Sequence, residues 1–236
     1  MIRALTCVHR WLGIPFCLLF AMWFASGIVM HFVPFPALTE AERIAGLAPL
    51  DLSRVASGPR EAVAASRIAD AARVRLLQRS DGPVYVVSGA SAAAALHAAD
   101  LTPAGVRSES LTLAIAADHA RRRGMDAARA TFAGLAAYDQ WTVSSGLDLH
   151  RPLHRVTLND GSGTELYVSS ATGEVVRDTA RRERWLNYAG SVAHWIYPTV
   201  LRANPGAWSA TVWSLSQDWI ALNRALPNWM LRRIDG

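Results

Sequence analysis

The run WLGIPFCLLFAMWFASGIVMHFV, Trp11 to Val33, carries no charged side chain, and none occurs anywhere between Arg10 and Glu40. As a helix rising 1.5 Å per residue it reaches about 34 Å, slightly more than a hydrocarbon core of roughly 30 Å. Eleven of its residues are Leu, Ile, Phe or Val, which on an insertion scale sum to about −3 to −7 kcal/mol. His31 is the one costly group, and it falls at the far end. A secretory signal has a shorter apolar core and a small-x-small cleavage site, whereas this run exits into Pro34-Phe35-Pro36. A retained transmembrane helix is the expectation.

Arg3 and Arg10 precede the run, so the positive-inside rule places the N-terminus in the cytoplasm and sends the bulk of the chain across the membrane. Everything from about Pro36 onward is expected to meet the periplasm or the cell exterior first. Roughly 150 residues follow before the next apolar region, enough for one domain of ordinary size. The formal charge is +5, but the arginines are scattered and no basic block of nucleic-acid type occurs, so no nucleic-acid partner is expected. Cys7 and Cys17 sit before and inside the membrane run, which leaves the exported part without disulfides. There is no CxxC or CxxCH, so any haem would be held noncovalently. GxSxG, HExxH and a phosphate-binding loop are also missing, which argues against a hydrolase and leaves no candidate catalytic residue and no candidate metal site.

Along the exported part the pattern gives a short helix at Glu40–Ala48 within a linker over 37–58. A helix over Arg60–Arg73 and a strand Val74–Arg79 follow. Ser80-Asp81-Gly82-Pro83 is a strong turn signal, ahead of a strand Val84–Ser88. A second helix over Ser110–Arg123 precedes strands at Tyr138–Val143, His154–Leu158 and Glu165–Ser169, and Ala171-Thr172-Gly173-Glu174 turns into Val175–Arg177. The fold class is α+β: an N-terminal transmembrane helix over 1–36, then two helix-plus-β-hairpin units over 59–180 sharing an antiparallel sheet. From 181 to 236 aromatics crowd at Trp185, Tyr188, Trp195 and Tyr197, as at a membrane interface. Pro205–Asn223 contains Gln217 and Asp218, so a partial or amphipathic second membrane segment is expected there, followed by a polar tail with Arg224, Arg232 and Arg233.

Three places resemble the PepSY-associated transmembrane proteins. They are His9-Arg10-Trp11-Leu12-Gly13 at the head of the anchor, Leu166-Tyr167-Val168-Ser169 with Ala171-Thr172-Gly173-Glu174-Val175-Val176, and His194-Trp195-Ile196-Tyr197-Pro198 with Leu201-Arg202. The resemblance implies PepSY-like units in the exported domain. It also implies a haem-linked component of iron or siderophore transport or reduction, with b-type haem as cofactor. The chain departs from the family's pattern after Ser216 and reads as a C-terminally shortened member, for which a partner membrane protein or a homodimer would supply further helices. The other reading is a non-catalytic membrane-anchored module that binds a peptide or partner protein.

His9 and His31 are 22 positions apart, about 40° beyond six full helical turns, so they share one face at opposite ends of the anchor. Haem ligands on the two sides of a membrane need that arrangement, and interfacial histidines produce it too. His194 opens the re-entry segment and is the one partner for His31 at the outer surface, with Gly27 one turn away to admit a flat ring. His150 and His154 are separated by Pro152, which argues against a helical metal pair. His97 and His119 sit in Ala-rich helical or loop surroundings, and Arg121-Arg122-Arg123 reads as a solvated helix end.

Overall fold

A computed structural model of the protein describes residues 2–196, 198–202, 204 and 206–211. Tyr197, most of the expected second membrane segment and the polar tail lie outside the described residues. The first helix, α1 (Ile2–Phe32), is longer than the apolar run because Ile2 to Arg10 continue it. The span His9–Phe32 is long and apolar enough to cross a membrane, and almost none of it is covered by the rest of the chain. Trp11, Leu18, Phe24 and Phe32 are all exposed. The length and apolar surface of α1 are those of a helix able to cross a bilayer.

Past Pro36 the chain forms α2 (Glu40–Ala45), where Thr39 and Glu42 cap each other reciprocally. α3 (Pro59–Ser66) is shorter than the pattern expected. Arg67 adopts a left-handed conformation, φ 58°, and the Ser66 hydroxyl bonds back to the Val63 carbonyl. The helix therefore stops before Ile68, Ala71 and Ala72, and the Ala72 N–H joins the sheet at the Ser88 carbonyl instead. The strands β1 (Arg73–Arg79) and β2 (Gly82–Ser88) pair antiparallel through a two-residue loop, Ser80-Asp81. Gly82 closes it at φ 130°, where a β-carbon would also press on the Arg54 guanidinium.

The strand β3 (Ala93–His97) lies on the other side of β2, so His97 is on a strand and not in a helix or loop. Ala is a poor strand former. What holds this run is the free edge of β2, whose residues Gly82 to Val87 are all buried because the sheet is covered on both faces. α3 packs Ala62 against Tyr85 and Leu96 on one face, and Leu77, Val84 and Val86 form the other.

α4 (Glu109–Arg122) falls where its periodicity puts it, capped by Ser108. It lies on a separate four-stranded antiparallel sheet of β4 (Thr131–Ala136), β5 (Leu153–Thr157), β6 (Glu165–Ser169) and β7 (Val175–Thr179). Ile115, Ala116 and Ala120 meet Val156, Leu158, Leu166 and Val168 in the core. The expected shared sheet is thus two sheets. The strand expected at Tyr138–Val143 is a turn, because the Asp139 carboxylate accepts from the Trp141 N–H and the Thr142 hydroxyl, a local alternative that outcompetes a ladder. The strand in that part of the chain is β4, whose alternation is broken by a bulge between Phe132 and Gly134.

Polar side chains weld the two sheets. Glu174, buried in the turn before β7, pairs with Arg75 of β1 and with Arg43 of α2. Buried Arg79 donates to the carbonyls of Ala104 and Thr172, 2.6 and 3.1 Å away, and the Val106 N–H meets the Ser170 carbonyl at 2.8 Å.

The domain is equally fastened to α1. α5 (Arg181–Asn187) follows β7 directly. Asn187 donates from its amide to the Pro34 carbonyl at 3.1 Å. Arg177 donates to the Pro36 carbonyl and lies 5.5 Å from the Phe35 ring centroid. After α5 comes a π-helical turn, Tyr188–Val192, that runs back along the end of α1. Gly190 permits it, since a β-carbon there would sit 3.1 Å from Val29.

Candidate functional site

Continuing past Gly190, the chain brings His194 against Gly27 of α1, where a β-carbon would lie 3.4 Å from the imidazole Cε1. Ser26 is buried and donates to the Trp23 carbonyl at 3.1 Å. His194 Nδ1 lies 3.2 Å from that carbonyl and 3.1 Å from Ser26 Oγ. A carbonyl oxygen only accepts, so Nδ1 carries a proton. Fixing one imidazole nitrogen by a backbone carbonyl is how proteins aim the other at a ligand.

His194 and His31 line one groove of about 470 Å³, whose walls are Trp23, Phe24, Ile28 and Phe32. His31 stands edge-on to Phe32, with ring centroids 5.1 Å apart. The structure therefore brings together two of the three histidines that the sequence singled out. The third, His9, is exposed 22 residues earlier on α1, about 33 Å along the axis. Gly27 faces the His194 ring, the close packing that a glycine in a membrane helix also serves.

The other histidines are structural. His154 is buried on β5, donating from Nε2 to the Val106 carbonyl at 3.1 Å, and its Nδ1 lies 3.1 Å from Thr112 Oγ1. His150 Nδ1 meets Ser169 Oγ at 3.1 Å. Burial pushes the pKa of both below the ordinary imidazole value. Among the described residues no group of three or more His, Cys, Asp or Glu is placed to hold a metal ion. Arg121 and Arg122 pair with Asp118 on the helix surface, whereas Arg123 reaches Asp178 and Glu42, 2.6 and 2.8 Å away. It is a structural bridge and not a solvated helix end.

Two features had no clear signal in the sequence. His119 is 5% exposed on α4, and its Nε2 is buried without a hydrogen-bond partner. Burial first, and the Arg123 charge second, depress its pKa to about 4. The other is the Glu174 cluster, hinted at only by three arginines in the seven residues of β1. A hollow of about 480 Å³ also opens beside β4, lined by Arg107, Leu135, Pro152, His154 and Ala171 among others.

No family model, curated protein or solved structure matches the chain. What the fold and groove define is a mixed α+β domain behind one apolar helix of membrane-spanning length. Two imidazoles, those of His31 and His194, line the groove among aromatic and aliphatic walls.

Proposed function

We propose that the chain is a membrane-anchored, PepSY-type protein of a bacterial inner membrane, with a cytoplasmic N-terminus and a periplasmic domain. Its His31–His194 groove is half of a b-type haem site serving iron or siderophore transport or reduction. The observation that carries this is that His194, whose Nδ1 is held by the Trp23 carbonyl, lines one groove together with His31. Haem bound there supplies one-electron transfer. The chain's own part is to offer the imidazoles of His194 and His31 and to line the groove with Trp23, Phe24, Ile28 and Phe32. Among the described residues little else covers α1, which leaves room for the remaining wall to come from a partner membrane protein or from a second copy of the chain.

The test is an absorption spectrum of the detergent-purified chain expressed with haem, oxidised and dithionite-reduced. The expected result is a sharpened reduced α-band that disappears in both His194→Ala and His31→Ala. A band that survives both substitutions, or a featureless spectrum in the unaltered chain, sinks the assignment.

A second reading has its own observation. β4 pairs on one side only, and its Leu135 is 62% exposed beside the hollow near Arg107, as a non-catalytic module that adds a peptide strand to its sheet would have it. A featureless spectrum together with saturable binding of an extended peptide selects that reading.

Orientation is tested separately. A membrane-impermeant maleimide is expected to leave Cys7 unlabelled in intact spheroplasts and to label it once they are opened, while Cys17 stays unlabelled inside the span. Labelling of Cys7 in intact spheroplasts reverses the topology.

A further inference from the structure

α5 divides its side chains between two surroundings. Glu183 accepts from the Ala180 N–H at 3.2 Å, Arg184 donates to Thr179 Oγ1 and the Gly163 carbonyl, 2.7 and 2.9 Å away, and Asn187 is fully buried. Arg181 and Arg182 are exposed, and so are Trp185 at 71% and Tyr188 at 48%. On a helical projection positions 181, 185 and 188 fall within about 60° of one another, with 182 to one side. Neither Arg181 nor Arg182 has a carboxylate partner among the described residues.

The aromatics on this face continue to the end of α1. Ring centroids are 6.1 Å apart from Trp185 to Tyr188, 5.2 Å from Tyr188 to Trp141, 6.1 Å from Trp141 to Phe35, and 5.9 Å from Phe35 to Trp195. Phe35 lies just past the last residue of α1, and Asn187 ties the end of α5 to Pro34. The basic and aromatic face is thus held at the depth where the apolar helix ends.

We propose that this face docks on anionic phospholipid headgroups of the leaflet in which α1 emerges, an inference that rests on α1 spanning the bilayer. Trp and Tyr rings are at home at the membrane interface, and the two unpaired guanidiniums complement phosphate charge.

The experiment places the full chain in phosphatidylcholine nanodiscs containing a minor fraction of lipid brominated near the headgroup, either phosphatidylglycerol or phosphatidylcholine. The Trp185 contribution is the difference between the unaltered chain and Trp185→Phe. Brominated phosphatidylglycerol is expected to be enriched at Trp185 over brominated phosphatidylcholine by between about fivefold and about thirtyfold, the factors that one and two arginines near a charged surface give. The double variant Arg181→Gln, Arg182→Gln should make the two lipids quench alike. Equal quenching by both lipids in the unaltered chain, or none at Trp185, overturns the docking. Lipid brominated at the bilayer centre separates the two failures. If it still quenches the other tryptophans, the span stands and only the docking falls, and if it quenches none, the spanning helix falls with it.

Discussion

Glu174→Gln is expected to destabilise the full chain by about 2–4 kcal/mol. Removing one member of a buried ion pair costs roughly 3–5 kcal/mol because its partner is left charged and unpaired. The figure here is set lower because Arg43 and Arg75 keep 20% and 25% of their side-chain surface in water. Arg43 also retains Glu40 as a partner, so most of the cost falls on Arg75, which Glu174 holds with both carboxylate oxygens. Urea unfolding in mild detergent, followed by tryptophan emission, reads the change. Arg75→Met combined with Glu174→Gln should cost less than the sum of the two single changes. Full additivity would mean that the pair does not join the sheets.

Acid should weaken the fold through His119. Its pKa is about 4 in the folded chain, against an ordinary value of 6.5, so between those values the unfolded chain binds the proton and the folded chain does not. The stability due to neutral His119 is fully present above about pH 6.5 and lost as the pH falls toward 4. It amounts to about 3 kcal/mol, at 1.36 kcal/mol per pKa unit. His119→Leu should flatten the slope of stability against pH over this window. It should cost little near neutrality, because the Nε2 atom it removes is buried and unpartnered. His150 and His154, also depressed by burial, leave a residual slope of the same sign. A slope unchanged by His119→Leu would show that the imidazole is reached by solvent.

The elements legible in the sequence are those whose signals are local and uncontested. α1 shows itself by an unbroken apolar run, α4 by its periodicity and the Ser108 cap, and β5 and β6 by alternation between turn residues. The misread segments are those where a neighbour or a single side chain decides. The alanines of β3 become a strand because β2 has an open edge, the bulge at Gly134 hides the alternation of β4, and the Asp139 carboxylate folds an apparent strand into a turn. At the groove, His31 and His194 were legible as a pair because one ends the membrane run and the other opens the aromatic stretch. The orientation of His194 was not, since it depends on a backbone carbonyl 171 positions away. The ion pair of Glu174 with Arg75 spans 99 positions, and no spacing rule reaches that far.

The clamps on Pro34 and Pro36 also bear on how the domain meets its surroundings. A flexible tether would let a domain sweep a hemisphere whose radius grows with the square root of tether length. Asn187 and Arg177 seize the backbone within four residues of the end of α1, so the domain sweeps nothing. With α1 in a bilayer it stands at one height and one tilt, and rolling the helix about its axis turns the whole domain like a key. Encounters with partners become a search in two dimensions, in which the rotational angle of a single helix decides which face is offered.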